Sequence, residues 1–329
     1  MVEMNNKIGI EEHFAIPETM SKPRSKFIVG EGGNTVNDRL LNMMDHRLGE
    51  MDKYGVEITI LSLNSPGIQS ICDPKAAADT ARLANDHLAE TIEKKKGRFR
   101  GFAALPMQDP EAAIIEMRRA VFELGLVGVL VNGFSQIDSP ENDVYLDDPR
   151  YKPFWAELEK IGVPFYLHPR DPMPRNARFL ENYPWLGGAA WAFTFEIATH
   201  VMRLMTGGLF DDYPGLKMLL GHMGEGIPFL VWRSDNMLWK SRRVRMPAKR
   251  KMADYLNENV WVTTSGQFHY PPLLCTMLQM GADRILFSTD YPFEEVGDAS
   301  LWFDGCQISE TDRQKIGRQN AIDLFKLKI

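Results

Sequence analysis

Four apolar runs of this sequence end in side chains able to hold a metal ion. KIGIEEH closes on Glu11 and His13, VPFYLH on His168, LKMLLGH on His222 and RILFSTD on Asp290. Side chains alternate faces along a strand, so Glu11 and His13 point one way and Glu12 the other. A single histidine at a strand end is more often a hydrogen-bonded structural group than a ligand. Glu11, His13, His168 and Asp290 together, however, offer two imidazoles and two carboxylates that a closed barrel would gather at one end of its strands. Nitrogen and oxygen donors without thiolate suit Zn, Mn or another first-row divalent ion, and donor type alone does not choose among them.

His222 opens HMGEGIPFLVWRSDN, where Glu225 stands three residues on and can reach back to orient the imidazole. The pair reads as catalytic; the competing reading is that Glu225 caps a helix beginning near Ile227. Arg233 lies on the same helical pattern, and its planar guanidinium fork suits a carboxylate or phenolate. Trp191 and Phe193 begin the helical run WAFTFEIATHVMRLM and, with Phe27 and Phe293, are candidate substrate contacts, although aromatics at such spacing more often build core. His46, His87 and His200 sit in helical patterns without comparable partners and read as structural or surface groups, with a place at the pocket border as the alternative for His200, whose helix follows the strand-five loop.

These residues need elements to position them. Eight β-rich apolar runs occur, at 7–13, 56–63, 99–105, 127–132, 163–168, 216–221, 260–264 and 284–289. Helical patterns lie between, clearest at 73–97, 109–125 and 148–162, each opening on Asp-Pro and ending at Gly. Repeated strand–helix–strand order with runs such as VGVLV implies parallel strands covered on both faces. A (β/α)8 barrel follows, with short turns before the strands and long segments after strands one, four, five and six to build a pocket. The Pro- and Gly-rich segment 169–190 reads as a covering loop, so residues 1–329 are expected to form a single barrel domain.

Composition excludes other classes. With 44% hydrophobic and 25% charged residues, the chain falls in the ordinary globular range. A net charge of -6 argues against a nucleic-acid partner, and the basic cluster KSRRVRMPAKRK reads as a solvated loop, with subunit contact as its rival. Cys72, Cys275 and Cys306 are too scattered for a redox pair or thiolate zinc site and fit a reducing compartment. Neither a secretory leader nor a run of roughly 18 apolar residues is evident, so the expected setting is cytoplasmic, without membrane partners.

At EEHFAIPET, ILSLNSPGIQ, GFAALPMQDP, LVNGFSQ, VPFYLHPR, LGHMGEGIPF, ADRILFSTDYPFE and NAIDLFKL the chain resembles the decarboxylase branch of the amidohydrolase superfamily. The likeness is to the γ-resorcylate (2,6-dihydroxybenzoate) and 2,3-dihydroxybenzoate decarboxylase family and spans nearly the whole chain. It implies a TIM barrel of the metal-dependent amidohydrolase type, α/β in class, with extended βα loops. It further implies that Glu11, His13, His168 and Asp290 hold one divalent ion per subunit, Zn or Mn with Mg as an alternative, and that no organic cofactor is used. By the same resemblance His222 and Glu225 assist, Asp290 protonates the substrate ring, and Arg233 positions a small aromatic carboxylate, in its own or a neighbouring subunit. A homotetramer built as a dimer of dimers is implied as well.

The implied reaction is reversible, non-oxidative decarboxylation of 2,6-dihydroxybenzoate to resorcinol and CO2, in an aromatic catabolic role. EEHF is the resorcylate version of the motif; relatives acting on carboxyvanillate and salicylate tend to carry Ala where His13 stands. Departures at SDNMLWK and QFHYPPLLC fall in expected pocket or subunit-contact loops and bear on the ring-substitution pattern rather than the metal set. The alternatives are decarboxylation of 2,3-dihydroxybenzoate or another hydroxybenzoate, metal-dependent hydrolysis of a lactone or amide, and a noncatalytic metal-binding barrel.

Overall fold

Each of the eight apolar runs forms a strand, and all eight lie parallel in one sheet ordered as they occur along the chain. The computed structural model describes residues 3–20, 33–240 and 245–329. The barrel strands are β1 (Lys7–Phe14), β2 (Val56–Leu63), β3 (Phe99–Ala104), β4 (Gly128–Asn132), β5 (Phe165–His168), β6 (Met218–Leu220), β7 (Val260–Thr263) and β8 (Ile285–Leu286). Ile8, Ile10, Ile58, Ile60, Phe102, Leu130, Tyr166, Leu219 and Leu286 pack together inside the barrel, and Leu324, Phe325 and Leu327 close its floor. A larger apolar layer separates strands from helices.

Regular pairing in β8 is shorter than the apolar run suggests, because side chains take over from the ladder. Thr264 Oγ1 accepts from Ser288 N at 2.9 Å and donates to Ser288 O at 2.9 Å. The seam to β1 then closes through Ser288 Oγ, which accepts from Glu11 N at 2.6 Å, and through Asp290 N to Glu11 O (3.1 Å) and His13 N to Tyr291 O (2.7 Å).

β1 itself carries an irregularity that alternation alone does not reveal. Gly9 pairs with Thr59 and Glu12 with Leu61, so three steps on β1 match two on β2, as in a β-bulge. Ile10 and Glu11 therefore both face the interior. Beyond the bulge Glu12 turns outward beside Gly9, where a Cβ would lie 2.5 Å from Glu12 Oε1. His13 turns inward again, with Nδ1 3.2 Å from Ser62 Oγ.

The Asp-Pro signals start helices as expected. Asp73 accepts from Ala76 N and Asp109 from Glu111 N and Ala112 N, capping helices Pro74–Lys94 and Pro110–Phe122. Asp148 accepts from Arg150 N and opens the short turn Pro149–Tyr151 that leads into helix Lys152–Ile161, ended by left-handed Gly162. The first two helices stop at Lys94 and Phe122, before Gly97 and Gly125, which turn the chain toward the next strand. The long segment after β4 holds a small hairpin, Ser135–Gln136 with Asp143–Val144, and 169–190 folds into four short 3-10 turns. No helix among the described residues is long and apolar enough to cross a membrane.

His46 and His87 are exposed, and His46 Nδ1 lies 3.3 Å from the Tyr291 hydroxyl. His200 is fully buried: Nε2 accepts from Leu146 N at 2.9 Å, and the ring packs edge-on to Tyr145. Burial, with Arg203 adding to it, pushes its pKa down to about 3. The native imidazole thus stays neutral while the unfolded one protonates near 6.5, so His200 contributes stability above that pH that is lost as pH falls toward 3. Urea midpoints of wild type and His200→Gln should accordingly converge as pH drops from about 6.5 to about 4.

Candidate metal centre and active site

Glu11 sits at the centre of the strand ends with its two oxygens in different surroundings. Oε2 accepts from the hydroxyls of Tyr166 and Ser265 and, at 3.1 Å, from Thr263 Oγ1. Burial raises the Tyr166 pKa well above 10, which keeps that hydroxyl a donor. Gly221 leaves the room required, since a Cβ there would stand 2.8 Å from Glu11 Oε2.

Oε1 faces nitrogen and oxygen atoms instead. His168 Nε2 is 3.1 Å away, His222 Nε2 3.8 Å and His13 Nε2 3.9 Å. Asp290 completes the ring, with Oδ1 3.2 Å from His13 Nε2 and Oδ2 3.6 Å from His222 Nε2. Donors held about 2.0–2.2 Å from a common ion stand about 3–4 Å apart, which is the spacing seen. Glu11 Oε1 and His13 Nε2 are also fully buried without a hydrogen-bond partner, a costly state that a cation relieves. Glu11 with His13 and His168, and Glu11 with His222 and Asp290, are both compact enough to hold a divalent metal ion.

Charge follows the same geometry. Burial opposes ionisation of Glu11 and Asp290, but the surrounding imidazoles outweigh it and hold both below the ordinary carboxylate range. His13 is lowered by burial. At His222 burial favours the neutral ring, yet Glu225, Glu11 and Asp290 overcome this and hold its pKa well above 6.5.

His222 and Glu225 meet as their spacing suggests, with Nδ1 2.6 Å from Oε1, but by an unexpected backbone. His222, Met223, Gly224, Glu225 and Gly226 all have φ between 50° and 78°, forming a left-handed turn. Such conformations cost non-glycine residues roughly 1–2 kcal/mol each and persist where the surroundings enforce them. Glu225 does not cap the following helix, Ile227–Lys240; its Oε2 accepts instead from Thr194 Oγ1 at 2.8 Å.

The substrate-contact candidates divide. The Phe293 ring lies 5.5 Å from that of His13. Phe193 is half-buried near the start of helix Ala192–Thr206, while Trp191 is 48% exposed and packs on Phe195. Arg233 is exposed on Ile227–Lys240 and makes no ion pair or hydrogen bond among the described residues. Phe27 lies outside the described residues. Sequence reading overlooked Tyr166, Thr263, Ser265 and Thr194; the first three could have been found by counting back or forward two residues from interior positions on β5 and β7.

This barrel and its strand-end cluster define the class. The amidohydrolase family model matches residues 45–327, and the chain belongs to that family. Within it the chain falls among the γ-resorcylate decarboxylases: it is 53% identical to that of Rhodococcus jostii RHA1 over 328 residues, 98% of this chain and 99% of the relative. Identity to the Rhizobium sp. MTP-10005 enzyme is 52% over 325 residues, with the same coverage. A 2,6-dihydroxybenzoate decarboxylase complexed with 2,6-dihydroxybenzoate superimposes with a TM-score of 0.95 at 52% identity, covering 98% of this chain and all of that one. The Polaromonas sp. JS666 dihydroxybenzoic acid decarboxylase, with bound manganese and the inhibitor 2-nitroresorcinol, gives 0.95 at 52% identity, covering 98% and 97%.

Groups that hold a ligand's far side commonly tune metal affinity 10- to 100-fold, roughly. Tyr166→Phe and Ser265→Ala should each weaken Mn2+ binding by about that factor in a chelator-competition titration, with the barrel's circular dichroism unchanged.

Proposed function

We propose that the protein catalyses metal-dependent, non-oxidative decarboxylation of an ortho-hydroxybenzoate, 2,6-dihydroxybenzoate first among them, releasing resorcinol and CO2. The observation that carries this reading is the convergence of Glu11, His13, His168 and Asp290 beside an ion-paired His222 and Glu225, in a chain akin to γ-resorcylate decarboxylases. The whole chain acts as one barrel domain.

A divalent ion would be held by Glu11, His13, His168 and Asp290 and would supply Lewis-acid stabilisation of the negative charge on the bound substrate. Manganese, present in the Polaromonas relative, is the first ion to test, with zinc and magnesium after it. No organic cofactor is needed, since the ionised hydroxyl pushes electrons onto the carbon that carries the carboxylate.

Direct loss of CO2 would leave an aryl carbanion, so that carbon is protonated first. Asp290 delivers the proton, and His222, oriented by Glu225 through Nδ1, stands with Nε2 3.6 Å from Asp290 Oδ2 to replenish it. The carbon–carboxylate bond then breaks, and its electron pair returns to the ring and restores aromaticity. Phe293 walls the ring beside His13.

Helix Ile227–Lys240 exposes Phe229 (79%), Trp232 (71%) and Trp239 (53%) around Arg233, a face suited to another copy of the chain. We infer a homotetramer assembled from dimers, in which Arg233 serves a neighbouring pocket, working in the cytoplasm toward aromatic catabolism.

Metal-loaded protein should release CO2 from 2,6-dihydroxybenzoate in preference to 2,3-dihydroxybenzoate, and in D2O the resorcinol formed should carry one deuterium between its hydroxyls. Chelation should abolish release. His222→Asn should keep its metal yet lose roughly 100- to 10,000-fold in kcat. Lactone or amide opening without CO2 from any ortho-hydroxybenzoate would replace this reading with a hydrolase; metal binding with neither activity would leave a noncatalytic barrel.

A further inference from the structure

Glu12 is the carboxylate of β1 that the proposed chemistry leaves unused, and it is as buried as the ligands on either side of it, at 1% exposure. It points away from them, into the seam between β1 and the chain leaving β8. All three of its hydrogen bonds reach the two residues before Asp290. Oε1 accepts from Thr289 N at 2.9 Å and from Ser288 Oγ at 3.2 Å, and Oε2 accepts from Thr289 Oγ1 at 2.6 Å. Thr289 Oγ1 in turn accepts from Tyr291 N at 3.2 Å, so the chain is pinned on both sides of Asp290.

That pinning matters because Asp290 has a φ of +70°, a left-handed conformation that costs a non-glycine residue of order 1 kcal/mol or more. The β1–β8 seam has no regular ladder to enforce it. Main-chain bonds from Asp290 N to Glu11 O and from His13 N to Tyr291 O tie the strands, and the Glu12 carboxylate supplies three of the side-chain bonds that fix the offset between them. The Arg47 guanidinium stands behind the seam, donating to His13 O and lying over the Tyr291 ring.

We propose that Glu12 is a positioning residue: it holds Asp290 in its strained conformation and at its distance from His13, and thereby sets both metal affinity and proton delivery. This rests on the role given to Asp290 above. A purely structural seam residue would change stability and leave both of those properties alone.

The test uses full-length protein and Mn2+ alone as the probe. Glu12→Gln keeps the shape but turns one acceptor into a donor facing Thr289. It should weaken Mn2+ binding about 10-fold and lower kcat about 10- to 100-fold with KM little changed. The Mn2+ electron paramagnetic resonance spectrum should move toward that of Asp290→Asn, and Glu12→Gln should add little further loss of Mn2+ affinity in the Asp290→Asn background. Thr289→Val, which removes the hydroxyl shared by Glu12 and Tyr291, should act in the same direction. A lower Tm with unchanged Mn2+ affinity and spectrum would overturn the proposal, as would fully additive losses in the double variant. Because Mn2+ affinity is read without substrate, failure of the wild type to release CO2 would count against the proposed reaction and leave the positioning role still judged.

Discussion

The structure turns on keeping one ionised carboxylate, Glu11, fully buried at the strand ends of the barrel. An unpaired buried charge is costly enough that the surroundings must compensate for it on every side. One oxygen is saturated by three hydroxyls from β5, β7 and the turn after β7; the other is left to imidazoles and a cation. Much of the local architecture follows from this demand. Gly221 makes way for the carboxylate, Tyr166 spends an interior position on a hydroxyl among aliphatic neighbours, and the seam brings Asp290 across to face His13.

Strain gathers around the same point. Asp290 and the His222–Gly226 turn all adopt left-handed conformations that their surroundings must impose. A right-handed helical turn would also place residues three apart near each other, but here the left-handed path directs the His222 ring toward Glu11 and Asp290 while Glu225 stays behind it against Thr194. Rigidity is thereby built in before any substrate arrives.

Much of this was legible in the sequence. β-rich apolar runs and Asp-Pro caps marked eight strands and the clearest helices, and potential ligands at strand ends marked one mouth of the barrel. What stayed hidden depends on contacts between distant segments or on a single residue's backbone. The hydroxyl cradle of Glu11 joins residues more than 150 positions apart. The left-handed turn at His222 reads as an ordinary helix start, and helical spacing alone does not say whether Arg233 faces its own barrel or a neighbouring subunit. The bulge in β1 leaves no mark in its pattern of residue types.

That bulge changes the parity of the strand. Below it the even-numbered residues Ile8 and Ile10 face inward; above it the odd-numbered Glu11 and His13 do. One strand can therefore face the interior with apolar side chains at the barrel floor and ionic ones at its rim without turning a charged ligand toward the helices. The two neighbouring glutamates consequently hold offices that cannot be exchanged, and the frame in which they are read is set by an extra residue rather than by their own chemistry.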